Sequence, residues 1–271
     1  MPDLIDLEIV IQSKTPLIII ETFEEPRALA LIVKVGVKRR LPVYGWSVTE
    51  GIRRLEIMDE ASLPRTDEPQ AVLEHIKSAT QPAVYVLCDF HPFMSDEPKN
   101  VRLLKEIAMA HEGNHHTVVL LSHQLAIPPE LRRYCAQMTL ALPTDEQLLQ
   151  LVKDEAAVWS SQNRGLKVKT DSRTLDKLVA NLRGLSYSDA RRLARGVIFD
   201  DGAITDCDLP ALNRAKFELL GKDGVLNYEY DTATFAEVGG LRRLKAWLAD
   251  RRESFLRQET PIEAVDRPKG L

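Results

Sequence analysis

The stretch Ala83-Val-Tyr-Val-Leu-Cys-Asp89 follows Pro82 and stays apolar until a single carboxylate closes it. A short run rich in Val and Leu, without polar alternation, predicts a strand buried on both faces. An Asp at the carboxyl end of such a strand stands where open α/β sheets place their ligands. Working outward, Pro16-Leu-Ile-Ile-Ile20, Leu41–Trp46, Thr117–Ser122 and the region Met138–Leu142 predict further strands. Helical patterns lie between them. Glu24–Gly36 has Ala28, Leu29, Ile32 and Val33 at helical spacing, with Gly36 as the stop. Gln70–Ala79, Pro98–Ala110 and a short piece near Pro129–Tyr134 complete the set. Five strands alternating with helices specify an α/β fold with a parallel, doubly wound sheet. After Pro143 only helices follow, at Glu146–Trp159, Ser172–Leu182, Ser186–Phe199 and Asp208–Leu220, which predicts a small helical bundle appended to the sheet.

Composition narrows the function classes. With 271 residues, 44% of them hydrophobic, the chain can bury a sizeable core. A net charge of −4 gives no whole-chain basic footprint, so a nucleic-acid partner is not expected. Cys88, Cys135 and Cys207 are odd in number and far apart, and Cys88 falls inside the strand pattern. That usage predicts reduced thiols and a cytoplasmic location. The opening Met-Pro-Asp-Leu-Ile-Asp has no basic leader region. No run approaches the roughly 20 apolar residues that a bilayer crossing needs, so no membrane role is expected.

Phe235-Ala-Glu-Val-Gly-Gly-Leu-Arg-Arg-Leu-Lys245, the helix that follows it, and Arg267-Pro-Lys-Gly-Leu271 resemble the opening of an AAA-family ATPase domain. In that family the segment matching Val238-Gly239-Gly240 lies against the adenine, and Pro-Lys-Gly leads into the first strand and the phosphate loop. Residues 1–220 resemble a further AAA domain with its helical lid. Asp89 matches the Walker B Asp that holds Mg²⁺, and Ser122-His123 ends the strand that carries the first sensor. Ile127-Pro-Pro-Glu-Leu-Arg-Arg133 resembles the arginine-finger segment, and Pro143-Thr-Asp-Glu-Gln-Leu the start of the lid. Gly184-Leu-Ser-Tyr-Ser-Asp189 resembles the turn inside that lid. The arrangement is most similar to the two-domain AAA protein family of cyanobacteria and plastid genomes. The resemblance implies a P-loop NTPase-like α/β domain over 1–143, a lid over 144–222, a linker over 223–234 and the start of a second AAA domain over 235–271. It also implies ATP and Mg²⁺ as cofactors of the full-length family, a homo-oligomeric ring in a longer form, and a protein partner.

The departures from the family pattern decide the expected chemistry. A phosphate loop needs glycines whose backbone N–H groups curl around phosphates, a Lys for charge and a Ser or Thr for the metal. After the first strand this chain instead has Glu21-Thr-Phe-Glu-Glu-Pro-Arg-Ala28. Pro26 has no N–H to offer, and Ala28 has no hydroxyl. Glu21, Glu24 and Glu25 would repel a triphosphate, at several kcal/mol for close like charges in a medium of effective dielectric about 20. Arg27 stands near the Lys position, and Phe90 replaces the glutamate that would orient an attacking water. The expectation is a degenerate, non-hydrolysing nucleotide site around Arg27, Asp89, Ser122 and His123. No catalytic residue is expected in this chain, and no ATP or Mg²⁺ bound by it. Arg133 fits the first arginine-finger position and could act on a neighbouring subunit, whereas Ala136 falls at the second.

Two other readings stand beside this one. A self-contained α/β adaptor would bind a protein partner and never engage nucleotide. A zinc hydrolase is suggested by His111-Glu112-Gly-Asn-His115, which satisfies H-E-x-x-H. That pattern needs one continuous helical face, and Gly113-Asn114 reads instead as a helix end, so no metal site is expected. Arg183 and Arg191-Arg-Leu-Ala-Arg195 read as a basic, solvated helix face. Trp46, Trp159 and Trp247 read as core.

Overall fold

The computed structural model describes residues 2–57, 62–220 and 238–256. The expected linker over 223–234 and the Arg267–Leu271 motif fall outside them. The chain divides into two compact units, Met1–Leu209 and Pro210–Leu271.

The first unit is built on one sheet. Its strands are β1 (Leu17–Glu21), β2 (Val43–Ser47), β3 (Gly51–Arg54), β4 (Val84–Cys88), β5 (Thr117–Ser122) and β6 (Cys135–Met138), in the order β3-β2-β4-β5-β1-β6. The expected strands run parallel to one another. β3 is an addition to that expectation: it forms an antiparallel hairpin with β2 and closes one edge. The last strand begins earlier than the Met138–Leu142 pattern suggested, because Arg132–Tyr134 is a single 3₁₀ turn that feeds straight into β6. The ladder ends with Ile20 opposite Met138, the last residue of β6, so Leu140 is buried without strand pairing.

Side chains alternate across the sheet and both faces are covered. Leu17, Ile19, Tyr85 and Leu87 pack with α3 (Pro69–Ser78) and α4 (Pro98–Met109). Ile18, Ile20, Val84 and Val86 pack with α1 (Pro2–Gln12) and α2 (Glu25–Arg39). Each such Val, Ile or Leu contributes about 1.5–3 kcal/mol by leaving water. α1 was not legible in the sequence because its apolar residues run all round it. Leu7 and Ile11 face the core while Ile5 and Ile9 remain exposed. Gly36 does not stop α2. It sits buried inside the helix, which runs on to Arg39 and is capped by Arg40 in the left-handed region. A Cβ at Gly36 would lie 2.2 Å from Val43 Cγ2, so this glycine serves the close approach of α2 to β2.

Three helices follow the sheet within the same unit: α6 (Asp145–Gln162), α7 (Ser172–Leu182) and α8 (Tyr187–Asp201). Each starts on an oxygen-bearing side chain: Thr144 with a reciprocal Gln147 box, Asp171 and Ser186. Glu155 of α6 is buried and held by Arg191 at 3.2 Å and Arg195 at 2.8 Å from α8. Arg192 pairs with Asp189 and Arg183 with Asp145, so the expected basic face is matched by carboxylates. Trp159 is half-buried over Gly202, at the left-handed end of α8.

α9 (Leu209–Leu220) begins at the last residue of the first unit and continues in the second, which also contains α10 (Arg242–Leu256). Val238-Gly239-Gly240 forms the turn before α10, with Gly240 at φ 72° and the Val238 carbonyl accepting from Lys245 Nζ. Trp247 is 43% exposed, with Arg251 stacked 4.1 Å from its ring centre. It is not a core residue among those described.

The H-E-x-x-H stretch does not make one helical face. The short α5 (His111–Asn114) ends before His115, which takes φ 56° as its cap. His111 is buried and its Nδ1 donates to the His116 carbonyl at 2.6 Å. His116 is buried too, and its Nε2 donates to the Ala79 carbonyl at 2.8 Å. Those carbonyls fix both tautomers, leaving His111 Nε2 and His116 Nδ1 as buried acceptors without partners. Burial, more than the neighbouring His111 and His115, holds His116 below the usual histidine pKa of 6.5, against an opposing pull from the Ala79 hydrogen bond.

Gly36→Ala should cost about 1–3 kcal/mol from overpacking against Val43, read as a lower urea midpoint with an unchanged slope. An unshifted midpoint would mean that α2 can move away from β2 without loss. The buried His116 sets a pH dependence. Below the unfolded histidine pKa the unfolded chain takes up a proton that the folded chain resists, so stability falls as pH drops below about 6.5. His116→Gln should flatten that part of a melting-temperature profile; an equally steep decline would place its cause elsewhere.

Candidate functional site

The crossover leaving β1 passes over one face of the sheet, through α2, while those leaving β4 and β5 pass over the other. This reversal opens a crevice at the carboxyl ends of β1, β4 and β5. Three sequence-predicted residues meet there. Asp89 follows β4 in the left-handed region, at φ 51°, where its N–H donates to the Leu121 carbonyl at 2.9 Å. The Ser122 hydroxyl, buried at the end of β5, donates to Asp89 Oδ1 at 2.9 Å. Because the carboxylate only accepts, the hydroxyl's remaining close partner, His91 Nδ1 at 2.9 Å, is the donor to Ser122. His123 completes the group: its ring lies edge-on to His91 at 5.2 Å and stacks on Phe23 at 5.6 Å. Phe23 is 86% exposed.

Sequence reasoning missed His91 and Phe23. His91 lies two positions beyond Asp89, and only the 3₁₀ turn His91–Phe93 brings its ring back onto Ser122. Phe90 is fully buried against Trp46 and Phe93. Its side chain therefore belongs to the core beneath the crevice. A cavity of about 370 Å³ opens beside Asp89, lined by Glu25, Trp46, Glu50, Arg53 and Cys88 among others. Burial, then the Glu25 and Asp89 carboxylates, push the Cys88 thiol up to about 12. Such a thiol stays protonated and is a poor nucleophile.

Arg27 is held elsewhere, by a separate network at the head of α2. Its guanidinium donates to Glu24 Oε2 at 2.8 Å, Asp3 Oδ2 at 2.7 Å and the Ala141 carbonyl at 2.9 Å. It also lies 4.5 Å from the centre of the Tyr187 ring. The backbone N–H groups of Arg27 and Ala28 both go to the Glu24 carbonyl, and Pro26 has none. Glu21, at the end of β1, accepts from the Leu125 N–H at 2.9 Å. Arg133 is exposed on the turn before β6, beside exposed Arg132. Val238, Gly239 and Gly240 belong to the second unit. Among the described residues, no group of three or more His, Cys, Asp or Glu side chains is arranged to hold a metal ion. No described helix is long and apolar enough to cross a membrane.

Comparison with known proteins accounts for this layout. The family described as SpoVK-like AAA ATPase, N-terminal domain, matches residues 4–140, and the second domain of the same family matches residues 146–223. The chain is 26% identical over 270 residues to the AAA domain-containing protein ycf46 of Guillardia theta, covering 98% of this chain and 51% of that protein. It is 25% identical over 270 residues to ycf46 of Pyropia yezoensis, covering 98% of this chain and 52% of that one. The chain thus spans about half the length of the curated relatives it matches. Among solved structures, PCH-2 of C. elegans aligns over 80% of this chain and 67% of its own, at 11% identity and a TM-score of 0.49. With the N-terminal family pattern running from α1 into the strands of the sheet and its second-domain pattern over the helices that follow, the chain belongs to the SpoVK-like AAA ATPases, of the ycf46 type.

Proposed function

We propose that residues 1–222 form a non-hydrolysing AAA module, an α/β domain over 1–143 with its lid over 144–222, used for assembly and partner binding. Residues 223–234 act as a linker, and 235–271 open a second AAA domain. The observation that carries this reading is the head of α2. Where a phosphate loop would present free amides, a lysine and a hydroxyl, Pro26 offers no N–H and the Arg27 and Ala28 amides are used by Glu24. Arg27 is committed to Asp3, Glu24 and Ala141, and Ala28 is buried without a hydroxyl. These residues do not fit ATP·Mg²⁺. The Asp89–Ser122–His91 group supports the same reading, since the carboxylate that would hold Mg²⁺ is engaged by the Ser122 hydroxyl, itself held by His91.

In a chain as long as the curated relatives, ATP and Mg²⁺ would be bound and hydrolysed by the second domain. Val238-Gly239-Gly240 would then meet the adenine, and copies would close into a ring. Exposed Arg133 would reach a neighbouring subunit's nucleotide. The aromatic group Phe23–His123 and the degenerate site around Asp89 remain available to a protein partner.

Calorimetric titration of the chain with ATP·Mg²⁺ should show no binding at millimolar nucleotide. Micromolar binding that disappears in Asp89→Ala would overturn the proposal. In a longer, ring-forming chain, Arg133→Ala should slow hydrolysis by about 10³-fold if the residue serves as a finger. A loss as large in the isolated subunit would reject action on a neighbour.

A further inference from the structure

We propose that Glu24 is a built-in ligand of the lid: its carboxylate, and not a bound nucleotide, holds the first turn of α8 against the α/β layer. The inference deepens the proposed function and rests on its reading of the first module as nucleotide-independent.

The first amides of any α-helix lack partners within the helix and carry the positive end of its dipole. At α8, Ser186 Oγ accepts from the Asp189 N–H at 3.1 Å, which satisfies one of them. The Ser188 N–H donates instead to Glu24 Oε1 at 3.0 Å, 164 residues away in sequence. Glu24 is 7% exposed, and its other oxygen accepts from Arg27. Both oxygens of a buried carboxylate are therefore used, one of them on another layer of the fold. A buried charge persists only when paired in this way.

The surroundings fix the geometry. The Glu24 N–H donates to Thr22 Oγ1 at 2.9 Å, and the Glu24 carbonyl caps α2, so the carboxylate extends from a rigid helix start. Arg27 joins the same point to Asp3 of α1, to the Ala141 carbonyl just ahead of α6, and to the ring of Tyr187 on α8. Asp3 Oδ1 in turn accepts from the Ala141 N–H at 3.0 Å. Two carboxylates and one guanidinium leave one negative charge in excess, and it faces the N-terminus of α8. That is the place for an anion at a helix N-terminus. A side chain of the protein supplies it.

Amide hydrogen exchange on the full chain tests the contact. Exchange over Tyr187–Leu193 should quicken at least 10-fold in Glu24→Ala, and less in Glu24→Gln, which keeps an acceptor for Ser188 but loses the charge. Exchange in β4 and β5 should stay unchanged. Unchanged α8 exchange in both variants, or an acceleration shared equally by β4 and β5, would overturn the inference. The underlying reading fails by a different outcome: slower α8 exchange in the unsubstituted chain on adding ATP·Mg²⁺.

Discussion

Burial of the central strands on both faces is the constraint from which the rest follows. β1, β4 and β5 carry apolar side chains alternately to two separate cores, one with α1 and α2 and the other with α3 and α4. A charged side chain placed along the middle of such strands would be left unpaired in the core. Polar chemistry is therefore displaced to the strand ends, where Glu21, Asp89 and Ser122 stand at neighbouring carboxyl termini. Reversal of the crossovers around β1 concentrates those termini in one crevice. The position of the site is thus a consequence of packing, independent of what the site now does.

In the proposed reading the two parts of a degenerate nucleotide site differ in how they are held. Asp89 remains exposed and accepts from the Ser122 hydroxyl, which His91 holds from the other side. The head of α2 has instead become a hub of ionic and hydrogen-bonded contacts. Glu24 and Arg27 connect α1, α2, the chain ahead of α6, and α8. Breaking one partner of such a buried pair leaves the other charge uncompensated, at several kcal/mol. A residue set under that constraint cannot readily return to cradling phosphates.

Much of the fold was legible because its signals are local. Apolar runs bounded by Pro and charged residues marked the parallel strands, and Ser172–Leu182 coincides with α7 in full. What escaped depends on tertiary packing. Gly36 carries the ordinary signal of a helix stop, yet the close approach of Val43 requires a glycine inside α2. β3 is a short edge strand with Arg53 and Arg54 at its end, so it lacks a buried apolar run. In the site, Asp89, Ser122 and His123 could be named from their order along the chain. The Ser122–His91 bond depends on a 3₁₀ turn, and Glu24 meets Ser188 only through the packing of the helices after the sheet onto the α/β layer. Neither leaves a trace in spacing.

The contrast between Glu24 and Asp89 bears on how such a module could serve an assembly. A dissociable ligand that joined a sheet to its lid would hold them together only while bound. An internal carboxylate does not dissociate and is not hydrolysed. With Glu24 in the proposed role, the α8 contact does not depend on a dissociable ligand. In the proposed reading such a module keeps one arrangement, because differential binding is required before any ligand can shift a conformational equilibrium. Rigidity of this kind suits the proposed use of the domain, which relies on its surfaces and not on hydrolysis.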